Sequence, residues 1–204
     1  IREPKAVIID TEFLSTLSQR EMRSGLAEML KHGLIFEKNY WDKFKNLKDL
    51  STDDLNELIH QSIEIKNTIV CEDLTENGIR KALNFGHTLG HGIESYFLEN
   101  EDKTSLLHGE AIAAGMILES YISKEKGLLT NEEYHEIKYI INDIFERIEF
   151  NENDINQIIE LLIYDKKNEF GKVQFALLEG IGKIKINQES DNELIFKAIE
   201  DYAV

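Results

Sequence analysis

The sequence predicts a mainly α fold: a multi-helix domain with a short N-terminal strand and a small C-terminal β-hairpin. Two observations carry that expectation. Apolar residues recur at helical spacing through most of the chain, and period-two runs appear only near its two ends. In order, Pro4 precedes Ala6-Val7-Ile8-Ile9-Asp10, a β-branched run that reads as a strand reaching away from the domain. Leu26, Met29, Leu30 and Leu34 mark one face of a helix beginning near Ser18. Leu55, Leu58, Ile59, Ile63 and Ile65 suggest a second helix, starting within Ser51 to Asp54. Gly109 to about Lys126 reads as a buried helix, and Asn153 to Lys167 as a further one. Thr130 with Glu133, and Ser190 with Glu193, fit the capping-box pattern. Val173 to Leu177 and Lys183 to Ile186, with Gly180 and Gly182 between them, read as the hairpin.

At 204 residues the chain can bury a substantial core. Its longest apolar stretch, Ala111 to Leu118, is far too short to cross a bilayer, and no secretory leader is expected. A net charge of −16 opposes nucleic acid and anionic membranes, since both demand a basic face. The single cysteine, Cys71, excludes an internal disulfide or a CxxC site and suits a reducing cytosol. It is expected to be a small buried hydrophobe. No glycine-rich phosphate loop occurs, so most of any nucleotide site lies elsewhere.

The chemistry concentrates in Leu83-Asn84-Phe85-Gly86-His87-Thr88-Leu89-Gly90-His91 and Leu107-His108-Gly109-Glu110, which place three of the six histidines within 22 residues. His87 and His91, four apart, share one helical face, and imidazole is both a common ligand for divalent cations and a proton carrier near neutral pH. This suggests a metal-assisted enzyme. A site built from His87 and His108 needs at least a third ligand, and Glu28, on the apolar face of Gly25 to Gly33, is the candidate, because a buried carboxylate requires a neutralising partner. Pairing with Lys31 is the competing reading of Glu28. Spacing does not decide whether His91 ligates the ion or acts as an acid/base beside it, and Glu94 and Glu110 are further possible ligands. His60 and His135 read as surface residues. Lys31, Lys66, Arg80 and the pair Lys166-Lys167 would, if they converge, hold an anionic substrate.

Taken together these residues resemble the C-terminal domain of the 3-dehydroquinate synthase family. The likeness runs through Pro4 to Thr11, Phe13 to Leu17 with Arg20-Glu21, Gly25 to Glu28 with Lys31 and Gly33, and Glu76 to Arg80. It continues through Leu83 to His91, Leu107 to Ala111, Gly115-Met116 and Asp165 to Lys167, and so covers nearly the whole chain. The resemblance implies that residues 1–204 are a helical metal- and substrate-binding domain, and that the family's main NAD-binding domain precedes it. It implies Glu28, His87 and His108 as ligands of Zn2+ or Co2+, and His91 as a substrate-contacting proton carrier. Lys31, Lys66, Arg80, Asn84 and one of Lys166 and Lys167 would hold the substrate's carboxylate, phosphate and hydroxyls, with Glu76 in the same pocket; His91, Lys66, Arg80 and Glu76 would be catalytic. Phe13, Leu14, Ser15, Thr16, Leu17 and Glu21 match positions that touch NAD. The implied reaction converts 3-deoxy-D-arabino-heptulosonate 7-phosphate to 3-dehydroquinate and phosphate in the shikimate pathway, with transient oxidation by NAD, in a cytoplasmic homodimer.

Departures from the family pattern are a longer connection from His91 to His108, Gly92 where alanine is frequent, and His32 where tyrosine is common. Neither substitution removes a group the site depends on. The alternatives are another sugar-phosphate cyclase, a metal-dependent polyol or alcohol dehydrogenase, and a helical interaction domain without activity.

Overall fold

A computed structural model describes residues 5–49, 52–164 and 173–203. Residues 5–10 form no strand and pair with none among the described residues, and Val7, Ile8 and Ile9 stand 72%, 93% and 53% exposed. The expected N-terminal strand is therefore corrected. β-branched side chains favour an extended backbone, yet a strand also needs a neighbour to complete its hydrogen-bond ladder. Asp10 accepts from the Glu12 N–H and opens a 3-10 turn over Thr11–Thr16.

Helix α1 (Gln19–Ile35) starts where the sequence places it. The Ser18 hydroxyl accepts from the Glu21 N–H while the Glu21 carboxylate accepts from the Ser18 N–H, a reciprocal cap. Its second half, Ala27 to Ile35, is buried apart from Glu28, so the apolar stripe drives it into the core. A short α2 (Lys38–Asp42) and a 3-10 segment (Lys43–Asp49) turn the chain toward α3 (Thr52–Glu72). That turn is fixed by buried aromatics whose polar ends are satisfied: Tyr40 donates to the Leu58 carbonyl and Trp41 donates to Glu136.

Helices α4 (His87–Glu99) and α5 (His108–Glu125) form the centre. α5 is buried from Ala111 through Ser120 without a break, because nearly every one of its side chains is small or apolar. It packs against α1, α4, α6 (Asn131–Ile144), α8 (Asn192–Ala203) and the first strand, and α7 (Glu152–Tyr164) packs on α4 and α8. The hairpin pairs β1 (Gln174–Leu178) with β2 (Ile184–Glu189) antiparallel, Gln174 opposite Glu189 and Leu178 opposite Ile184, with an irregularity between Phe175 and Leu177. β1 is buried on α5, where the Leu178 N–H donates to Ser123, and β2 alternates between half-buried and exposed positions.

Thr130 and Glu133 form the expected capping box of α6. At α8 the expected cap shifts by one residue: Asp191, not Ser190, accepts from the Leu194 N–H, because Asp191 stands immediately before the helix. The predicted extension of α7 to Lys167 lies outside the described residues. Among the described residues, no helix is long and apolar enough to cross a membrane.

Candidate metal centre

The site begins at a corner only glycine can make. Gly86 adopts φ 77°, in the left-handed region, between a 3-10 turn (Ile79–Asn84) and the first residue of α4, His87. α5 presses directly on this corner, since a Cβ added to Gly115 would clash with the Gly86 carbonyl oxygen. From α5 the fully buried Glu119 carboxylate accepts from the N–H groups of Gly86 (2.7 Å) and Leu89 (3.1 Å), filling the otherwise orphaned first turn of α4. Burial pushes the Glu119 carboxyl up to about 8, against the opposing pull of those backbone donors.

His108, the first residue of α5, is anchored from α1. Arg20 donates two hydrogen bonds of 2.6 Å to Glu110 and one of 3.0 Å to the Ser105 carbonyl. Glu110 also accepts from the Leu107 N–H, and the Gly109 N–H donates to Ser24. Glu110 is thereby committed to bracing α5, which corrects its reading as a possible metal ligand.

Between these anchors the three imidazoles converge. The ring centroids of His87, His91 and His108 lie 5.1, 5.4 and 5.7 Å apart, and one nitrogen from each falls within 4.8 Å of the others. Among the described residues these three histidines are the group placed to share an ion, and no carboxylate belongs to it. Glu28 reaches the cluster from α1, its Oε1 lying 3.4 Å from His87 Nε2.

The protonation pattern gives that contact its meaning. His87 Nδ1 faces the Phe85 carbonyl at 3.2 Å, an acceptor only, so Nδ1 carries the proton and Nε2 presents a lone pair. Burial, then the nearby Lys31 charge, lowers the His87 pKa to about 4, so the ring is neutral at pH 7. Oε1 of Glu28 is buried without a hydrogen-bond partner, and Oε2 accepts from Lys31 at 2.7 Å. Burial opposes ionisation of Glu28, but Lys31 outweighs it and holds the carboxyl below its ordinary range. Two lone pairs thus face each other across 3.4 Å. Ligand atoms about 2 Å from a tetrahedral zinc lie about 3.3 Å from one another, so this donor pair fits a shared cation.

The polar groups expected to meet substrate fall into two sets. The Asn84 amide donates to Glu76 (3.0 Å), and the Arg80 guanidinium sits 4.0 Å from the same carboxylate while donating to the Leu74 carbonyl. Lys31, nearly fully buried, and Lys66 on α3 lie close enough for their like charges to interact. Burial, and more weakly Lys66, lower the Lys31 pKa, with Glu28 opposing. Lys166 and Lys167 lie outside the described residues. Phe13 and Leu17 are 71% and 43% exposed, Ser15 and Thr16 turn their hydroxyls onto the backbone of their own 3-10 turn, and Leu14 is half-buried there. Glu21 serves the α1 cap.

Cys71 is corrected: it is exposed, near the end of α3 on the side away from buried Ile69. His60 and His135 are exposed, as expected. Sequence reasoning missed Glu119, although a lone carboxylate in an apolar helix was a usable signal. It also missed Glu94 as a partner of His108, whose Nδ1 lies 3.1 Å from its carboxylate.

Comparison with known proteins covers the stretch of chain that carries this site. Residues 25–168 match the family model for the 3-dehydroquinate synthase C-terminal domain. The chain is 41% identical over 204 residues to the 3-dehydroquinate synthase of Parabacteroides distasonis, spanning 98% of this chain and 56% of that protein. It is 42% identical over 201 residues to that of Listeria monocytogenes, spanning 96% and 53%. A 2-deoxy-scyllo-inosose synthase solved with carbaglucose-6-phosphate, NAD+ and Co2+ superposes with a TM-score of 0.75 at 27% identity, over 94% of this chain and 55% of that one. The 2-epi-5-epi-valiolone synthase ValA of Streptomyces hygroscopicus, solved with NAD+ and Zn2+, shares the fold with a TM-score of 0.76 at 23% identity, over 95% and 54%. The chain spans little more than half the length of these relatives. Most of its length matches the family model and nearly all of it aligns with the curated relatives, so this chain belongs to the 3-dehydroquinate synthase C-terminal family.

Proposed function

We propose that this chain is the metal- and substrate-binding half of a 3-dehydroquinate synthase, a carbon–oxygen lyase acting in a cytoplasmic homodimer. It would turn 3-deoxy-D-arabino-heptulosonate 7-phosphate into 3-dehydroquinate and phosphate, in the route to aromatic amino acids. The observation that carries this reading is the buried, partnerless Glu28 Oε1 facing the lone pair of His87 Nε2 at 3.4 Å. Nothing among the described residues neutralises that contact as well as a divalent cation held by Glu28, His87 and His108.

When bound, such an ion (Zn2+ or Co2+) would supply Lewis acidity at adjacent substrate oxygens, and NAD, held mainly by a preceding domain and touched here by the segment from Phe13 to Glu21, a reversible hydride acceptor. The remaining work belongs to the chain's own side chains. His91, more exposed than His87 and one helical turn from it, is placed to move a proton to or from a bound sugar. Lys31 and Lys66, with Lys166 or Lys167, counter the substrate's carboxylate and phosphate, while Arg80 and Asn84, braced by Glu76, orient its hydroxyls. Lys31 also keeps Glu28 ionised and ready to ligate.

A second reading, another sugar-phosphate cyclase, is favoured by the likeness to the inosose synthase. Phosphate release from the heptulosonate, but not from hexose 6-phosphates, separates the two. Lasting NADH accumulation would indicate a polyol dehydrogenase instead. The primary test is elemental analysis and a phosphate-release assay on the polypeptide carrying its nucleotide domain. His87→Ala should lose the metal and lower turnover by more than the roughly 10–100-fold typical of outer-shell changes, with the circular dichroism spectrum unchanged. Stoichiometric metal in that variant would refute the ligand set. His91→Ala should keep the metal and lose turnover.

A further inference from the structure

The two ligand histidines differ in what holds their far nitrogens. His87 donates from Nδ1 to the Phe85 carbonyl, a main-chain group that no substitution can remove. His108 has a side-chain partner instead: its Nδ1 lies 3.1 Å from Oε2 of Glu94. Glu94 is on α4, seven residues after His87 and three after His91, so all three point from one helical face toward the start of α5. The imidazole of His108 is 45% exposed at the first residue of its helix, where little packing constrains the ring.

We infer that Glu94 is a positioning residue of the metal centre, one that fixes the tautomer and orientation of His108 so that Nε2 faces the ion. The inference rests on His108 being a ligand, as proposed above. A carboxylate accepts but cannot donate, so the proton in this contact sits on His108 Nδ1 and the lone pair on Nε2. Its negative charge also makes the ring a stronger donor to a cation. His87 is oriented by a neutral carbonyl and His108 by a carboxylate, so the two rings are held differently, and the difference resides in one replaceable side chain.

The test is Zn2+ affinity by chelator competition and the visible spectrum of the Co2+ form, measured on the full polypeptide for wild type, Glu94→Gln, Glu94→Ala and His108→Ala. Glu94→Ala should bind Zn2+ about 10–100-fold more weakly. Glu94→Gln keeps an acceptor but not the charge, and should recover part of that loss with a shifted Co2+ absorption. Both metal-free variants should melt within a degree or two of wild type, as a role confined to the metal centre requires. Unchanged affinity and spectrum in Glu94→Ala, beside a clear loss in His108→Ala, would overturn this inference alone. A loss in Glu94→Ala as complete as in His108→Ala would also overturn it, by making Glu94 a ligand. Full metal in His108→Ala would overturn both this inference and the ligand set beneath it.

Discussion

At the scale of single residues, the chain keeps charge and neutrality side by side. Lys31 and Glu28 are an ion pair three residues apart on α1, while the next residue, His32, is buried and neutral, its Nδ1 2.7 Å from the Ser62 hydroxyl. Burial, reinforced by the Lys31 charge, lowers the His32 pKa to about 4 from an ordinary 6.5. The sign follows: the unfolded chain takes up a proton on this ring below pH 6.5 and the folded chain does not. The stability His32 contributes is therefore complete above pH 6.5 and lost as pH falls toward 4. Between pH 7 and 5 the loss is about 2 kcal/mol at most. Urea midpoints should accordingly fall less between those pH values in His32→Phe than in wild type, and equal falls would contradict the assignment. His87 and His91 were legible in the sequence because their spacing reports a shared helical face, whereas the meeting of His108 with them depends on how α5 packs against α4. Glu28 was legible only as one of two readings, since a carboxylate three residues before a lysine predicts an ion pair equally well, and the structure pairs Oε2 with Lys31 while Oε1 faces His87. The bond between His108 and Glu94 was out of reach, because it depends on how two helices cross.

Among the elements, the crossing of α4 and α5 decides whether the histidines meet. Gly115 lets the helices touch backbone to backbone, and any side chain there must push them apart. Gly115→Ala should destabilise the chain by about 3 kcal/mol, the upper end of ordinary overpacking, because the obstructing atom is a carbonyl oxygen rather than a flexible side chain. It should also weaken Zn2+ binding, read by thermal melts with and without metal. A variant as stable as wild type would mean that the helices can separate freely. The long helices were readable from apolar spacing and caps. The three 3-10 segments and α2 were not, because they are too short to show a period. The segment Ala6 to Asp10 misled because β-propensity describes a residue's preference and says nothing about whether a neighbouring strand exists.

On the scale of the whole molecule, 39 acidic against 23 basic residues leave a net charge of −16, and most of the described acidic residues lie on the surface. Self-repulsion of this size weakens the compact state and is relieved by salt. Raising NaCl from about 10 mM to about 150 mM shortens the screening length from roughly 30 to 8 Å, so the melting temperature should rise by a few degrees. A flat or falling response would show that paired charges dominate. Architecture was the most legible level of all, since the predominance of helix and the terminal hairpin both follow from repeating patterns; the central place of α5 required only that its apolar run be surrounded. That placement constrains how the protein can work. A rod wedged among four other helices and a strand has no slack direction in which to slide, so any opening and closing movement cannot be hinged at α5. Any ion held beside His108 would therefore keep a fixed seat, with movement left to the periphery.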